Sequence, residues 1–193
     1  MLIKAQGLLN AAAWVQRHHG EDVLEQILGL GSPALRERAQ TAIAIEWHEA
    51  GEFEEFLGLA ERAIGGPEGS VARALGAAGA EANMSGFMRR AAFYIARPAY
   101  ALKRVASAWG QFNDEGSMVL GDFSTQHATV EVRDVEPPGP LFCEALSGWC
   151  EVLARRVGAT GPKVRHSQCR LRGDALCAWK VTFESMPGLD KAS

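Results

Sequence analysis

The feature of this sequence that most constrains its fold is a change in residue pattern near position 112. Up to there Ala, Leu, Glu and Arg dominate, and glycine and proline interrupt the chain at short intervals. That composition predicts a series of short helices. From 116 to 184 the pattern changes, and in 129–135 apolar and polar residues alternate with the period of two that predicts a strand. Helices followed by strands predict an α+β protein with an antiparallel sheet.

The helical block carries clear start signals. Ser32 before Pro33 predicts a helix start, because serine is a good N-cap and proline loses nothing at the first helical position. Glu52, Glu54 and Glu55 form an acidic run, which is typical of a solvent-facing helix surface. The predicted helices span 7–18, 21–29, 33–48, 52–64, 68–82 and 98–112.

The rest of the chain predicts a four-stranded antiparallel sheet with one long helix, in the order strand-strand-helix-strand-strand. Its strands are predicted at 117–123, 128–135, 163–170 and 176–184, with the helix at 141–157. We expect one domain over 1–193, in which a helical block (residues 1–112) packs with a sheet-and-helix block (residues 116–184). A flexible tail is predicted at 185–193.

Composition argues against several classes of protein. The 193 residues carry a net charge of −3, so the chain offers no basic excess for nucleic acid. Hydrophobic residues make up 47%, too many for a disordered chain. No apolar run approaches the ~20 residues of a membrane span, and the N-terminus lacks a signal peptide's long apolar core. We therefore expect a cytoplasmic protein whose four cysteines are thiols or metal ligands rather than disulfides.

Three cysteines and one histidine have the spacing of a metal site. Cys169 and Cys177 lie four residues on either side of Gly173, so a hairpin turning there would place them opposite each other. His166 can face the same side as Cys169 only with a bulge or a twisted strand end, because residues three apart on a regular strand point to opposite faces. Cys143, on the preceding helix, would be the fourth ligand. These are zinc ligands; alternatively, the cysteines are small buried hydrophobes.

The same residues resemble a known family. The segment Cys169-Arg-Leu-Arg-Gly173-Asp174-Ala-Leu-Cys177, followed by Ala178-Trp179, is similar to the closing hairpin of 4-vinyl-reductase-type domains. Upstream, Cys143-Glu-Ala-Leu-Ser147-Gly148-Trp149 is similar to that family's helix, where a cysteine precedes a Gly-aromatic step. The resemblance covers residues 85–184 best and extends to bacterial proteins of about this length.

This resemblance implies a fold shared with the TRAPP vesicle-tethering subunits and with nitric-oxide-signalling domains associated with heme. Members bind small hydrophobic molecules or serve as docking modules, and many are dimers. In the phenol-sensing members, zinc is held by a cysteine that matches Cys143, by the two hairpin cysteines and by a glutamate whose position is His166 here. The resemblance thus implies zinc as the cofactor, with Cys143, His166, Cys169 and Cys177 as its ligands.

Aromatic residues around Arg97-Pro98 predict where a ligand would bind. Pockets are concave and lined by apolar and aromatic side chains. We therefore expect a pocket between the 85–112 helical region and the sheet. Its predicted lining consists of Phe93, Tyr94, Tyr100, Trp109 and Trp149.

The sequence predicts binding rather than catalysis. It contains no Gly-x-Ser-x-Gly, no P-loop and no complete Gly-x-Gly-x-x-Gly. The favoured function is a non-enzymatic sensor or regulatory module that binds a small hydrophobic molecule and acts through a protein partner or a homodimer. The alternatives are a scaffold or docking protein of TRAPP-like fold and, third, a reductase-associated tetrapyrrole protein. An apolar cavity separates sensor from scaffold, since side chains would fill it in a scaffold.

Overall fold

A computed structural model describes residues 1–91 and 109–186, and for residues 84–91 it describes the backbone alone. The predicted helix 98–112 lies mostly outside these ranges, and of it only a short 3-10 turn, Trp109–Gln111, is described. Within the described ranges no helix is both long and apolar enough to cross a membrane.

The N-terminal half is helical with one small sheet. A short strand β1 (Leu2–Lys4) pairs antiparallel with β2 (Trp47–Glu49), so the start of the chain is tied to the segment before the fourth helix. The helices are α1 (Gln6–His19), α2 (Glu21–Leu30), α3 (Pro33–Thr41), α4 (Ala50–Ile64) and α5 (Ser70–Ala91).

The C-terminal half confirms the predicted α+β class. Four antiparallel strands form a sheet in the order β3-β4-β6-β5, and one helix, α6, comes between the second and third of these strands along the chain. Buried residues of the helices and of the sheet form a common core. The elements are β3 (Ser117–Phe123), β4 (His127–Arg133), α6 (Pro140–Arg156), β5 (Lys163–Gln168) and β6 (Cys177–Thr182).

Three predicted boundaries are wrong. The helix predicted over 68–82 continues to Ala91. The helix predicted over 33–48 ends at Thr41, and Trp47–Glu49 is a strand. Local propensity favoured continuing the helix, but pairing with β1, a partner more than forty residues away in sequence, decides the conformation. The predicted flexible tail begins too early, because Ser185 forms a bridge with Thr160 and Met186 is buried.

The acidic run on α4 does not face solvent as predicted. Both oxygens of the Glu54 carboxylate accept backbone N–H groups at the start of α6, from Leu141 at 3.1 Å and Phe142 at 2.7 Å. A carboxylate at the start of a helix accepts from backbone N–H groups that have no partner within the helix, and its negative charge is favourable at the positive end of the helix dipole. Glu55 likewise accepts from the backbone N–H and hydroxyl of Ser32, at 2.7 and 2.8 Å. Ser32 also caps α3 as predicted, accepting from the N–H of Leu35.

A close helix contact in the core joins α5 and α6 through two glycines. A Cβ at Gly76 would overlap the backbone of Ala145, and a Cβ at Gly148 would overlap the carbonyl oxygen of Arg73. The two helix backbones therefore touch directly, an approach that no larger residue permits. This contact fixes how deeply α6 lies in the core.

A Gly148→Ala substitution should destabilise the protein by ~1–3 kcal/mol, because the added methyl forces the two helices apart. The matched control is Gly79→Ala in α5, where a Cβ meets nothing within 4 Å. We expect that change to be neutral or stabilising by up to ~1 kcal/mol, since alanine has the higher helix propensity. Chemical denaturation of both variants measures the difference. Equal stabilities would show that the helices are not in backbone contact.

One buried histidine is the central residue of strand β2 in the small N-terminal sheet. His48 is 2% exposed, and its Nδ1 lies 3.1 Å from a carboxylate oxygen of Glu52. The same oxygen accepts a hydrogen bond from Nε of Arg38 at 3.3 Å. The Nε2 of His48 has no hydrogen-bond partner within the described residues. Burial lowers the pKa of His48, and the nearby Glu52 carboxylate offsets that shift only in part.

The folded protein should therefore lose stability as the pH falls below ~6.5, the pKa of histidine in an unfolded chain. In that range the unfolded chain takes up a proton that the buried ring binds less readily. We expect the free energy of unfolding of His48→Gln to fall less steeply with decreasing pH, by at most ~1.4 kcal/mol per pH unit. Urea denaturation at a series of pH values measures it. His19→Gln, at an exposed histidine, is the control; parallel curves for all three proteins would refute a role for His48.

Candidate functional site

The four predicted ligands converge in space. The side-chain sulfurs of Cys143, Cys169 and Cys177 and a ring nitrogen of His166 all lie within 4.8 Å of one another. The three cysteines are buried, and each is a free thiol rather than half of a disulfide. We call these four residues the thiol cluster.

A β-bulge, one of the two irregularities that the spacing allowed, brings His166 and Cys169 to the same side. The β5–β6 ladder pairs His166 with Trp179 but Gln168 with Ala178, so the register shifts by one residue between them. An extra residue on one strand reverses which face the following side chains take. Cys169 follows directly after the bulge and reaches the face of His166.

The hairpin turns around Gly173 as predicted, through a 3-10 turn. Arg170–Arg172 forms a 3-10 turn, and Gly173 follows it with φ 90°, a conformation that favours glycine. The Asp174 carboxylate accepts a 2.7 Å hydrogen bond from the N–H of Cys169. The turn thus folds back on itself and holds Cys169 near Cys177.

Trp179 contacts two members of the thiol cluster, His166 and Cys143. Its ring stacks on the His166 ring, with centroids 4.6 Å apart and planes within 8° of parallel. Its Nε1–H donates to the Ser147 hydroxyl at 3.0 Å and to the carbonyl of Cys143 at 3.3 Å. Trp179 therefore joins β6 to α6 at the point where their ligand side chains meet. The Nε2 of His166 is buried without a hydrogen-bond partner among the described residues.

The pKa values of two cysteines in the thiol cluster are shifted in opposite directions. A hydrogen bond from Cys143 lowers the pKa of Cys177 to about 4, with smaller contributions from His166 and from the N–H of Arg170. That N–H lies 3.5 Å from the Cys177 sulfur. The same pairing raises the pKa of Cys143. At neutral pH the arrangement therefore favours a thiolate at Cys177 that accepts from the Cys143 thiol.

A surface cavity of about 280 Å³ leads to the cluster. Cys143, His166 and Cys169 contribute to its walls, so the cluster can be reached from outside although its sulfurs are buried. The other residues that line it are Glu68, Gly69, Pro140, Leu141, Glu144, Leu171 and Arg172.

A second cavity, of about 130 Å³, lies against an adjacent face of α6. We call it the apolar cavity, because aliphatic and aromatic side chains make up most of its wall. It is bounded by β1 and the start of α1, by α4 and α5, by residues 109–118 and by α6. Its lining residues are Ile3, Lys4, Gly7, Phe53, Asn83, Trp109, Phe112, Asn113, Met118, Phe142, Leu146 and Trp149.

Two of the predicted pocket residues, Trp109 and Trp149, line this cavity. The others, Phe93, Tyr94 and Tyr100, lie outside the described residues. Sequence reasoning missed the walls contributed by the start of the chain and by Phe142 and Leu146. The spacing of 142, 146 and 149 places these side chains on one face of α6 and could have revealed that wall, whereas no local signal points to Ile3 or Gly7.

One polar relay outside both cavities is structural. At the β3–β4 turn the hydroxyl of Ser124 lies 2.8 Å from Nδ1 of His127, whose Nε2 lies 2.7 Å from a carboxylate oxygen of Asp122. This resembles a Ser-His-Asp arrangement. The Ser124 oxygen, however, already accepts the backbone N–H groups of Gln126 and His127. Its lone pairs are therefore engaged in closing the turn.

Solved structures of H-NOX proteins share this architecture. An H-NOX protein from S. oneidensis in the Fe(II)NO ligation state is 11% identical, with a TM-score of 0.65 over 95% of this chain and 100% of that one. An Fe(II) unliganded H-NOX protein from K. algicida is 11% identical, with a TM-score of 0.67 over 96% and 98%. This is the H-NOX fold. No family model and no curated protein matches the sequence.

The H-NOX fold supports the broader resemblance and corrects the cofactor. It agrees with the predicted likeness in fold to nitric-oxide-signalling domains, whereas the narrower likeness to 4-vinyl-reductase and TRAPP proteins has no support from these structures. The prediction of zinc is wrong on this comparison, because the metal and cofactor named for these proteins are Fe(II) and heme. The thiol cluster remains a set of convergent ligand atoms with no assigned ion.

The residues of the apolar cavity do not fit heme. Heme iron is held by histidine, cysteine, methionine or tyrosine. The described lining contains no histidine, cysteine or tyrosine, and Met118 supplies its one thioether. A volume of about 130 Å³ is also far below the ~300–1,000 Å³ of pockets that enclose drug-sized molecules.

Proposed function

We propose that this protein is a non-enzymatic ligand-binding domain of the sensor type, whose ligand is a small apolar molecule held in the apolar cavity. The observation that carries the proposal is the cavity itself, about 130 Å³ with a largely aliphatic and aromatic wall. Engineered apolar cavities of ~150 Å³ bind benzene or xenon. A scaffold has no need of such a space, since filling it with side chains would add stability.

The polar groups around the cavity favour an apolar ligand. Asn113 donates its side-chain N–H to the Trp109 carbonyl at 3.1 Å, and Asn83 accepts from Asn10 at 3.3 Å. The ammonium of Lys4 donates to the Ile45 carbonyl and lies 3.8 Å from the centre of the Trp47 ring. Because these groups already have protein partners, a bound molecule would gain mainly from contact and burial.

Helix α6 supplies the proposed route by which binding is sensed. Phe142, Leu146 and Trp149 face the apolar cavity, while Cys143 on the next face belongs to the thiol cluster. A ligand that shifts α6 would move both sites together. We propose that this displacement is read by a protein partner or by a second copy of the chain.

Filling the apolar cavity should abolish ligand binding. Gly7 lines the cavity, and a Cβ there meets nothing within 4 Å, so Gly7→Leu adds a side chain without a backbone clash. Benzene should raise the melting temperature of the unmodified protein and leave that of Gly7→Leu unchanged, because a ligand stabilises only the state that binds it. Calorimetry with and without benzene measures the shift.

The control for this experiment is Gly29→Leu, an equivalent change on an exposed position of α2 with the same free space around it. It should keep the benzene-dependent shift. If the unmodified protein shows no shift, or if both variants keep it, the apolar cavity is not a ligand site.

We also propose that the thiol cluster binds a thiophilic metal ion. Four ligand atoms from α6, β5, β6 and the intervening turn converge within 4.8 Å. Thiolates and imidazole suit soft and borderline transition metals. His166 is half-buried, and its Nε2 atom is buried with no hydrogen-bond partner among the described residues. This supports the proposal, since buried polar atoms usually have a hydrogen bond or a ligand.

Elemental analysis of the purified, untagged protein tests this proposal. We expect one metal ion per chain, lost in Cys143→Ser and in Cys177→Ser. Cys150→Ser is the control on the same helix, because burial raises the pKa of that thiol to about 12 and it lies outside the cluster. Four free thiols without metal would identify the cysteines as packing residues, and metal loss in Cys150→Ser would show a merely structural effect.

A further inference from the structure

The histidines and cysteines of this chain are all accounted for, and none of them reaches the apolar cavity. The five histidines and four cysteines all fall in the described ranges. His48 lies in strand β2, and Cys143 and His166 belong to the thiol cluster. Between His48 and His127 the sequence contains neither residue type, so residues 92–108 supply none either.

The other side chains that can ligate heme iron, those of methionine and tyrosine, are weak candidates here. Met118 lines the cavity, but methionine ligation of heme is found together with histidine, and no histidine is within reach. Within residues 92–108 the side chains able to ligate iron are those of Tyr94 and Tyr100, because this segment contains no histidine, cysteine or methionine. An iron site here would therefore lack both common donors, imidazole and thiolate.

The cavity near the thiol cluster does contain such donors, but it is no better suited. Its volume of about 280 Å³ is below the ~300–1,000 Å³ of pockets for drug-sized ligands, and heme is larger than most of these. The carboxylates of Glu68 and Glu144 on its wall would repel the two propionates of heme.

Aromatic side chains occupy the space around the apolar cavity. The rings of Phe53 and Phe142 meet edge to face, with centroids 6.4 Å apart. Trp109 is buried, and its Nε1–H donates to the Glu115 carbonyl at 2.8 Å. We infer that this chain maintains the H-NOX fold without heme, with its own aromatic side chains completing the core. The inference is independent of the proposed apolar ligand.

Absorbance spectroscopy tests it on the full chain. The protein is produced in cells supplied with a heme precursor, then purified, and a second sample is titrated with hemin and passed over a gel-filtration column. We expect no Soret band in either sample and the same melting temperature with and without hemin. Apomyoglobin treated in the same way is the positive control.

One heme per chain after gel filtration would overturn the inference, above all if Met118→Leu or the double change Tyr94→Phe with Tyr100→Phe removes the Soret band. If all variants bind hemin equally and release it to apomyoglobin, the hemin is adsorbed on the surface. That outcome would support the heme-free inference. This test is separate from the test of the apolar ligand. If the protein binds neither heme nor benzene, the heme-free inference stands and the proposal of an apolar ligand fails.

Discussion

The backbone contact between α5 and α6 is the constraint on which the rest of the structure depends. Gly76 and Gly148 let the two helices approach until backbone meets backbone. With its depth set in this way, α6 presents three faces at once: Gly148 toward α5, Phe142 and Leu146 toward the apolar cavity, and Cys143 toward the sheet. Glu54 on α4 fixes the start of the same helix through its first backbone N–H groups.

The thiol cluster depends on a second constraint, the irregularity of β5. A regular strand would turn His166 and Cys169 to opposite faces, and the bulge before Gln168 removes that conflict. Trp179 then links the two layers, because it stacks on His166 and donates to Ser147 on α6. A bulge is a costly interruption of a ladder, and its presence where four ligand atoms meet is what one expects of a functional site.

Fold and chemistry separate in this protein. The path of the chain follows the H-NOX proteins over nearly its whole length, yet the wall of its apolar cavity has a different chemistry from that of an iron site. Among the described residues the wall of the apolar cavity is largely aliphatic and aromatic and contains no imidazole. The side chains of the thiol cluster lie instead beyond an adjacent face of α6. One architecture can therefore support different ligands, since the lining residues and not the strand order decide what binds.

The sequence by itself determined the α+β class, the order strand-strand-helix-strand-strand and the Ser32 cap. It also determined that His166 can join Cys169 only through a bulge or a twisted strand end. These follow from periodicity, capping preferences and strand geometry, which act over a few residues. Only the tertiary structure decided that 47–49 pairs with the start of the chain, that Glu54 caps a helix far along the sequence, and that Ile3 and Gly7 help to enclose a cavity. The physical reason is that these depend on contacts between segments remote in sequence, where long-range packing overrides local preference.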